Sequence, residues 1–167
     1  MSKFLLFYFQ KLFYPFHNYI PNECLQHLKK YAFCSQLNFQ IFHSCNTFLE
    51  QKNYKILAVV HAETSTGVNN PVAELGALVK DSDTLFLVDS VAGLGGVDVR
   101  VDEWGIDAFY SGSQKCLSTP PGLAPASFSE AAMEAMARRK TKVPNWYLDV
   151  TLIRKYWEGT PRTYHHT

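Results

Sequence analysis

The chain predicts an α/β fold with a mostly parallel sheet, and three observations carry that expectation. Two short apolar runs, Ile-Leu-Ala-Val-Val at 56–60 and Leu-Phe-Leu-Val at 85–88, have the length and branched content of buried parallel strands. Between them Val72, Leu75, Leu78 and Val79 recur at helical spacing. Strand, helix and strand within roughly 35 residues make a βαβ unit, right-handed by strong precedent.

Taken in order, the first 53 residues hold no sustained helical or alternating period. Residues 11–16 and 24–33 are each long enough for a short helix, so this segment is expected to be irregular or helical. Pro71 suits the first turn of the helix that Val72 begins, because its missing N–H is not needed there. Residues 108–110 and 124–128 read as further strands. Ser129 is placed to cap a helix running through Met133 and Met136 to about Arg139. Asp149 is placed to cap another, with Leu152, Ile153, Tyr156 and Trp157 on one side and Gly159 closing it.

Composition divides the chain near residue 53. Residues 1–53 carry nine of the twelve Phe, five Lys, two acids and no Gly, for a charge of +3; residues 54–167 carry −2. The net charge of +1 gives no general support for a nucleic-acid surface. The apolar run at 4–9 breaks at Gln10-Lys11 without a small-residue cleavage site, so a secretory leader is not expected. No run approaches the roughly 20 apolar residues of a membrane span. Cys24, Cys34, Cys45 and Cys116 show no CxxC spacing and read as reduced thiols. Cytoplasm is the default compartment.

In open α/β sheets, ligands gather beyond the carboxyl ends of the strands. Here the strand at 56–60 delivers His61 and the block HAETSTG, the strand at 85–88 delivers Asp89, and the strand at 108–110 delivers Ser111 to Lys115. Three separate blocks therefore converge on one edge. Asp89 follows four apolar residues, so its carboxylate is either paired with a cationic group or turned onto the amides of Ser90 and Val91. His61 and Glu63 lack a third ligand at sensible spacing, so no metal is expected and His61 reads as a packed or loop histidine. Gly93-Leu94-Gly95-Gly96 is an incomplete GxGxxG and does not support a dinucleotide site. Cys116 reads as a small packing residue.

The blocks HAETSTG (61–67), LFLVDSVAGLGG (85–96), YSGSQK (110–115), PPG (120–122), RKTK (139–142) and PRTYHHT (161–167) stand in a fixed order. Together they resemble the alanine–glyoxylate and serine–glyoxylate (serine–pyruvate) aminotransferases among the class V pyridoxal phosphate enzymes. The resemblance covers residues 54–167 and implies a fragment of the large domain of fold-type I pyridoxal phosphate-dependent transferases. It implies pyridoxal 5'-phosphate as cofactor, with the Lys115 amine forming an imine with its aldehyde and Asp89 keeping its ring nitrogen protonated. Thr64 matches a hydroxyl near the cofactor's 3′ oxygen, and Ser113 either approaches the phosphate or holds the loop. Gln114 stands where related cysteine desulfurases carry His, which favours transamination over a lyase reaction. Tyr164 and Thr167 match positions that reach the phosphate of a neighbouring subunit, implying a homodimer. The implied substrates are small amino acids and 2-oxo acids.

Residues 1–53 do not match that family: its phosphate-cradling glycine turn has no counterpart in a glycine-free segment. They are expected to be foreign, from a fragment or faulty gene model, rather than the replaced N-terminus of a diverged homologue. The family's arginine for the substrate carboxylate falls beyond Thr167. The chain alone is thus expected to bind cofactor weakly and turn over little, and a non-catalytic remnant is the third reading.

Overall fold

Apolar runs too short to be helices pair edge to edge, and the result is a five-stranded sheet. The computed structural model describes residues 31–34, 49 and 54–157. The strands of the main sheet are β1 (Tyr31–Cys34), β2 (Ile56–Val60), β5 (Leu85–Asp89), β6 (Ala108–Tyr110) and β7 (Ala126–Phe128), in the order β1-β2-β5-β6-β7. The first three pairings are parallel and β6 pairs with β7 antiparallel. A small antiparallel hairpin, β3 (Ala62–Glu63) and β4 (Val68–Asn69), follows β2 directly. Among the described residues, helices α1 (Val72–Val79), α2 (Glu130–Ala137) and α3 (Val150–Trp157) join the strands. No helix among the described residues is long and apolar enough to cross a membrane.

Alternation along the strands sorts their side chains onto two faces. Leu57, Val59, Phe86, Val88 and Phe109 form one cluster with Val72, Leu75 and Val79 of α1. Phe86 alone, wholly buried, stabilises the fold by about 1.5–3 kcal/mol. Ala58, Leu87 and Ala108 make the opposite face, bordered by Ile56, Tyr110 and Phe128. Burial on both faces is why these runs are continuously apolar rather than alternating.

Gly76 sits mid-helix, where glycine costs about 0.5–1 kcal/mol relative to alanine. Its reason is contact: a Cβ there would fall on the carbonyl oxygen of Trp104. Helix α1 thus packs directly on the β5-to-β6 crossover, which has no helix of its own. Leu94, Val99, Val101 and Trp104 hold that crossover against the core. The exposed pairs of Arg100 with Asp98 and Glu103 add little.

The structure departs from the sequence reading in four places. The end of the helix expected at 24–33 is strand β1 instead, drawn into the sheet by parallel pairing with β2. Strand β7 begins at Ala126, two residues late, because Pro125 has no N–H to give the ladder. The β3–β4 hairpin and a 3₁₀ turn at Trp146–Leu148 are additional. Both helix caps stand as read: Ser129 Oγ accepts from Ala132 N at 3.1 Å, and Asp149 Oδ1 accepts from Thr151 N at 3.0 Å.

Asp107 ties these parts together. Its Oδ2 accepts from the Phe86 backbone N–H at 2.8 Å, and its Oδ1 accepts from the Ser129 hydroxyl at 2.6 Å. One carboxylate thereby joins β5, β6 and the cap of α2. Replacing it with Ala leaves the Phe86 N–H without this acceptor, a loss of about 1–3 kcal/mol. Urea unfolding of Asp107→Ala is expected to show that loss as a lowered midpoint, with Asp107→Asn, which keeps an acceptor oxygen, falling less.

Candidate active site

Strands β2, β5 and β6 run parallel, so their carboxyl ends and the loops that follow lie at one edge of the sheet. Direct bonds lace those loops together. His61 N donates to Asp89 O at 2.8 Å, Ser90 N to Tyr110 O at 2.9 Å, and the Ser111 hydroxyl to Ser90 O at 3.0 Å. Asn70, buried where the hairpin returns to α1, donates its side-chain N–H to Val60 O at 2.6 Å and its backbone N–H to His61 O at 2.7 Å. The convergence expected from the three sequence blocks is realised.

Asp89 is the last residue of β5 and only 5 % exposed. Its Oδ1 accepts from Val91 N at 2.9 Å, so the turn contact considered from sequence is present. Its Oδ2 accepts from the Tyr110 hydroxyl at 2.7 Å. A carboxylate offers roughly four lone-pair sites, so these two donors leave acceptor capacity on both oxygens. Both partners are neutral, and no cation is bonded to Asp89 among the described residues. A buried anion so arranged suits a cationic N–H, which is the chemistry of a protonated pyridine.

Lys115 is exposed, on the tip of a long hairpin between β6 and β7. Ser111 N and Ser113 N donate to Pro125 O at 2.8 Å and Leu123 O at 3.0 Å, carrying the register of the two strands outward. The tip is then clamped. Thr119 donates to Ser113 O from both its N–H and its hydroxyl, at 3.1 and 3.0 Å, and the Ser113 hydroxyl donates to Pro120 O at 2.7 Å. Ser113 is 2 % exposed and fastens the loop, the second of the two roles open to it from sequence. Ser118 N returns to Lys115 O at 2.9 Å, which puts Ser118 at φ 56°, a left-handed geometry costing a non-glycine residue about 1 kcal/mol. Cys116 Sγ donates to Ala92 O at 3.1 Å, pressing the lysine loop against the loop that follows Asp89. The exposed Gln114 side chain lies close over Gly112.

Thr64 lies in the exposed turn of the β3–β4 hairpin, where Gly67 N closes onto Glu63 O at 2.8 Å. Tyr164 and Thr167 lie outside the described residues. Sequence reasoning passed over Tyr110 and Asn70. The available signal for Tyr110 was that an acid and a phenol each close an apolar run on neighbouring strands. Among the described residues, no group of three or more His, Cys, Asp or Glu is placed to hold a metal ion.

His61 is packed, as its sequence context suggested. It is 3 % exposed, meets Trp104 edge to face at 5.8 Å, and lies 3.4 Å from Ser90 Oγ through Nδ1. Burial pushes its pKa below the usual 6.5, against a weaker upward pull from Asp98. The folded chain therefore binds this proton less readily than the unfolded chain. The His61 contribution is fully present above about pH 6.5 and is lost as the pH falls through the depressed folded value. Urea midpoints taken from pH 7.5 down to 5.5 are expected to fall less steeply in His61→Gln than in the parent.

This sheet order, with an acid closing the central strand and a lysine on the clamped hairpin beside it, is that of part of the large domain of a fold-type I transferase. Comparison with known proteins narrows the class. The family profile Aminotransferase class-V matches residues 36–167, and the chain belongs to that family. It is 45% identical over 116 residues to an alanine–glyoxylate aminotransferase of Drosophila melanogaster, covering 68% of this chain and 29% of that protein. A (S)-ureidoglycine–glyoxylate transaminase of Bacillus subtilis is 39% identical over 131 residues, covering 68% of this chain and 31% of its own. The crystal structure of an alanine–glyoxylate aminotransferase from Nostoc sp. matches with a TM-score of 0.69 at 47% identity, covering 80% of this chain and 34% of that one. The chain spans about a third of the length of these relatives.

Proposed function

We propose that this chain carries the cofactor-anchoring and proton-transfer residues of a pyridoxal 5'-phosphate-dependent transaminase. The reaction is amino transfer between small amino acids, alanine or serine, and the 2-oxo acids glyoxylate or pyruvate. The observation that carries the reading is the buried Asp89 carboxylate, bonded by the neutral Val91 N–H and Tyr110 hydroxyl among the described residues, beside a loop that presents the Lys115 amine. Relatives named for glyoxylate transamination support it.

Pyridoxal 5'-phosphate, when bound, supplies an aldehyde for an amine and a ring that draws electrons from the substrate's Cα. The residues here supply the rest. Asp89 holds a proton on the ring nitrogen. Lys115 Nζ would anchor the aldehyde, and as a free amine it would carry the proton from the substrate's Cα to the cofactor's C4′. Thr64 would approach the cofactor's 3′ oxygen, Gln114 beside Lys115 would help to hold the cofactor, and Ser113 keeps the Lys115 loop in place. Tyr164 and Thr167 serve the phosphate of a second copy in a homodimer. Gln114, where desulfurases carry His, sets the lyase reading behind. A reducing compartment such as the cytoplasm suits the exposed free thiol of Cys116.

Borohydride reduction of the full chain incubated with pyridoxal 5'-phosphate, followed by peptide mass mapping, tests the assignment. The expected result is an adduct on Lys115, lost in Lys115→Ala and reduced at least tenfold in Asp89→Ala, in line with removal of a buried charge pair. Adducts spread alike over the other lysines in parent and Lys115→Ala would sink it. Turnover of alanine and glyoxylate by this chain alone is expected to be slight.

A further inference from the structure

We infer that Tyr110 is a positioning residue for the reaction, setting the orientation of Asp89 so that the carboxylate reads the ring nitrogen of the cofactor. The inference rests on the cofactor reading above and adds a residue to it.

The geometry begins with register. Asp89 closes β5, Tyr110 closes β6, and the two are direct partners across the parallel ladder. Partners in register project to the same face, here the face of Leu87 and Ala108, and Tyr110 packs at the border of that cluster. Its hydroxyl reaches Asp89 Oδ2 at 2.7 Å, a charge-assisted bond, while Val91 N takes Oδ1 at 2.9 Å. With one donor on each oxygen, rotation of the carboxylate about its last bond is blocked. The lone pairs that remain are held in fixed directions.

The chemistry of the donor matters as much as its place. Burial takes the Asp89 carboxylate out of water, so a protein donor must stand in for the lost hydration. A Lys or Arg in place of Tyr110 would do so, but would also neutralise the anion. A phenol donates one hydrogen bond and carries no charge, so it leaves the carboxylate's attraction for a ring cation unshared. The backbone amide of Val91 has the same character. This pairing of neutral donors with a buried acid prepares a site for a cationic N–H and discriminates against an uncharged ring.

Tyr110→Phe keeps the aromatic packing and removes only the hydroxyl. The test compares two probes on the full chain, pyridoxal 5'-phosphate and its 1-deaza analogue, in which a carbon replaces the ring nitrogen. Affinity is read for each by titrated borohydride trapping, with adducts mapped to Lys115. Tyr110→Phe is expected to weaken the natural cofactor about tenfold, the scale of one hydrogen bond to a charged group, and to change the deaza analogue less than twofold. Tyr110→Phe added to Asp89→Asn is expected to have no further effect on either probe, since the two residues act as one unit. Equal weakening of both probes would mark Tyr110 as a packing residue only and overturn the inference, as would no weakening of either. If the parent chain traps neither probe on Lys115, the cofactor reading itself falls, and this inference with it. Thermal unfolding of Tyr110→Phe checks that the sheet is intact.

Discussion

A carboxylate removed from water must be met by donors, and at Asp89 that requirement organises the surrounding chain. One donor is local: the turn after β5 brings Val91 N onto Oδ1. The other is not. The Tyr110 hydroxyl arrives only because β6 lies beside β5 in a register that pairs the final residues of both strands. A slip of one residue would send Tyr110 to the opposite face and leave the acid half satisfied. The register is secured at the other end by Asp107, whose backbone N–H meets Phe86 O and whose carboxylate receives Phe86 N. Two acids thus bracket the β5–β6 pair, one holding it in line and the other depending on that alignment.

The loops at this edge are held together for a reason of similar kind. Each loop there is fastened to another loop's backbone rather than left to pack by shape. His61 and Asn70 hold the return of the hairpin, Ser111 holds Ser90, and Cys116 holds Ala92. Backbone carbonyls are fixed by the strands that precede them, so the side chains bonded to them inherit the order of the sheet. Gly76 extends this order to the far side, since α1 can lie on the Trp104 carbonyl only where no side chain intervenes.

The parts legible in the sequence were those that local signals encode. Apolar runs marked β2 and β5, a helical period marked α1, and Ser129 and Asp149 announced the helices they cap. The placement of Asp89 and Lys115 at one edge followed from strand ends alone. What stayed hidden depends on partners distant in sequence. Strand β1 has an aromatic-rich sequence with no period, and only its pairing with β2 makes it a strand. The two-residue strands β3 and β4 are too short to alternate. Tyr110 was in plain view within YSGSQK, but its meaning lies across the ladder. Ser113 was read with two roles because a hydroxyl in a loop gives no sign of its acceptor, here a carbonyl seven positions on.

The hairpin between β6 and β7 could have been shorter. Its rungs run out to Ser113 and Leu123, where a tight turn would suffice to reverse the chain, yet residues 114–122 continue past them. The entropy of closing a loop changes slowly with its length, so trimming or lengthening this tip would disturb the folded sheet little. What trimming would remove is the Lys115 amine. A shortened tip could therefore leave the scaffold unharmed, and a well-folded product would be no sign that Lys115 had been kept.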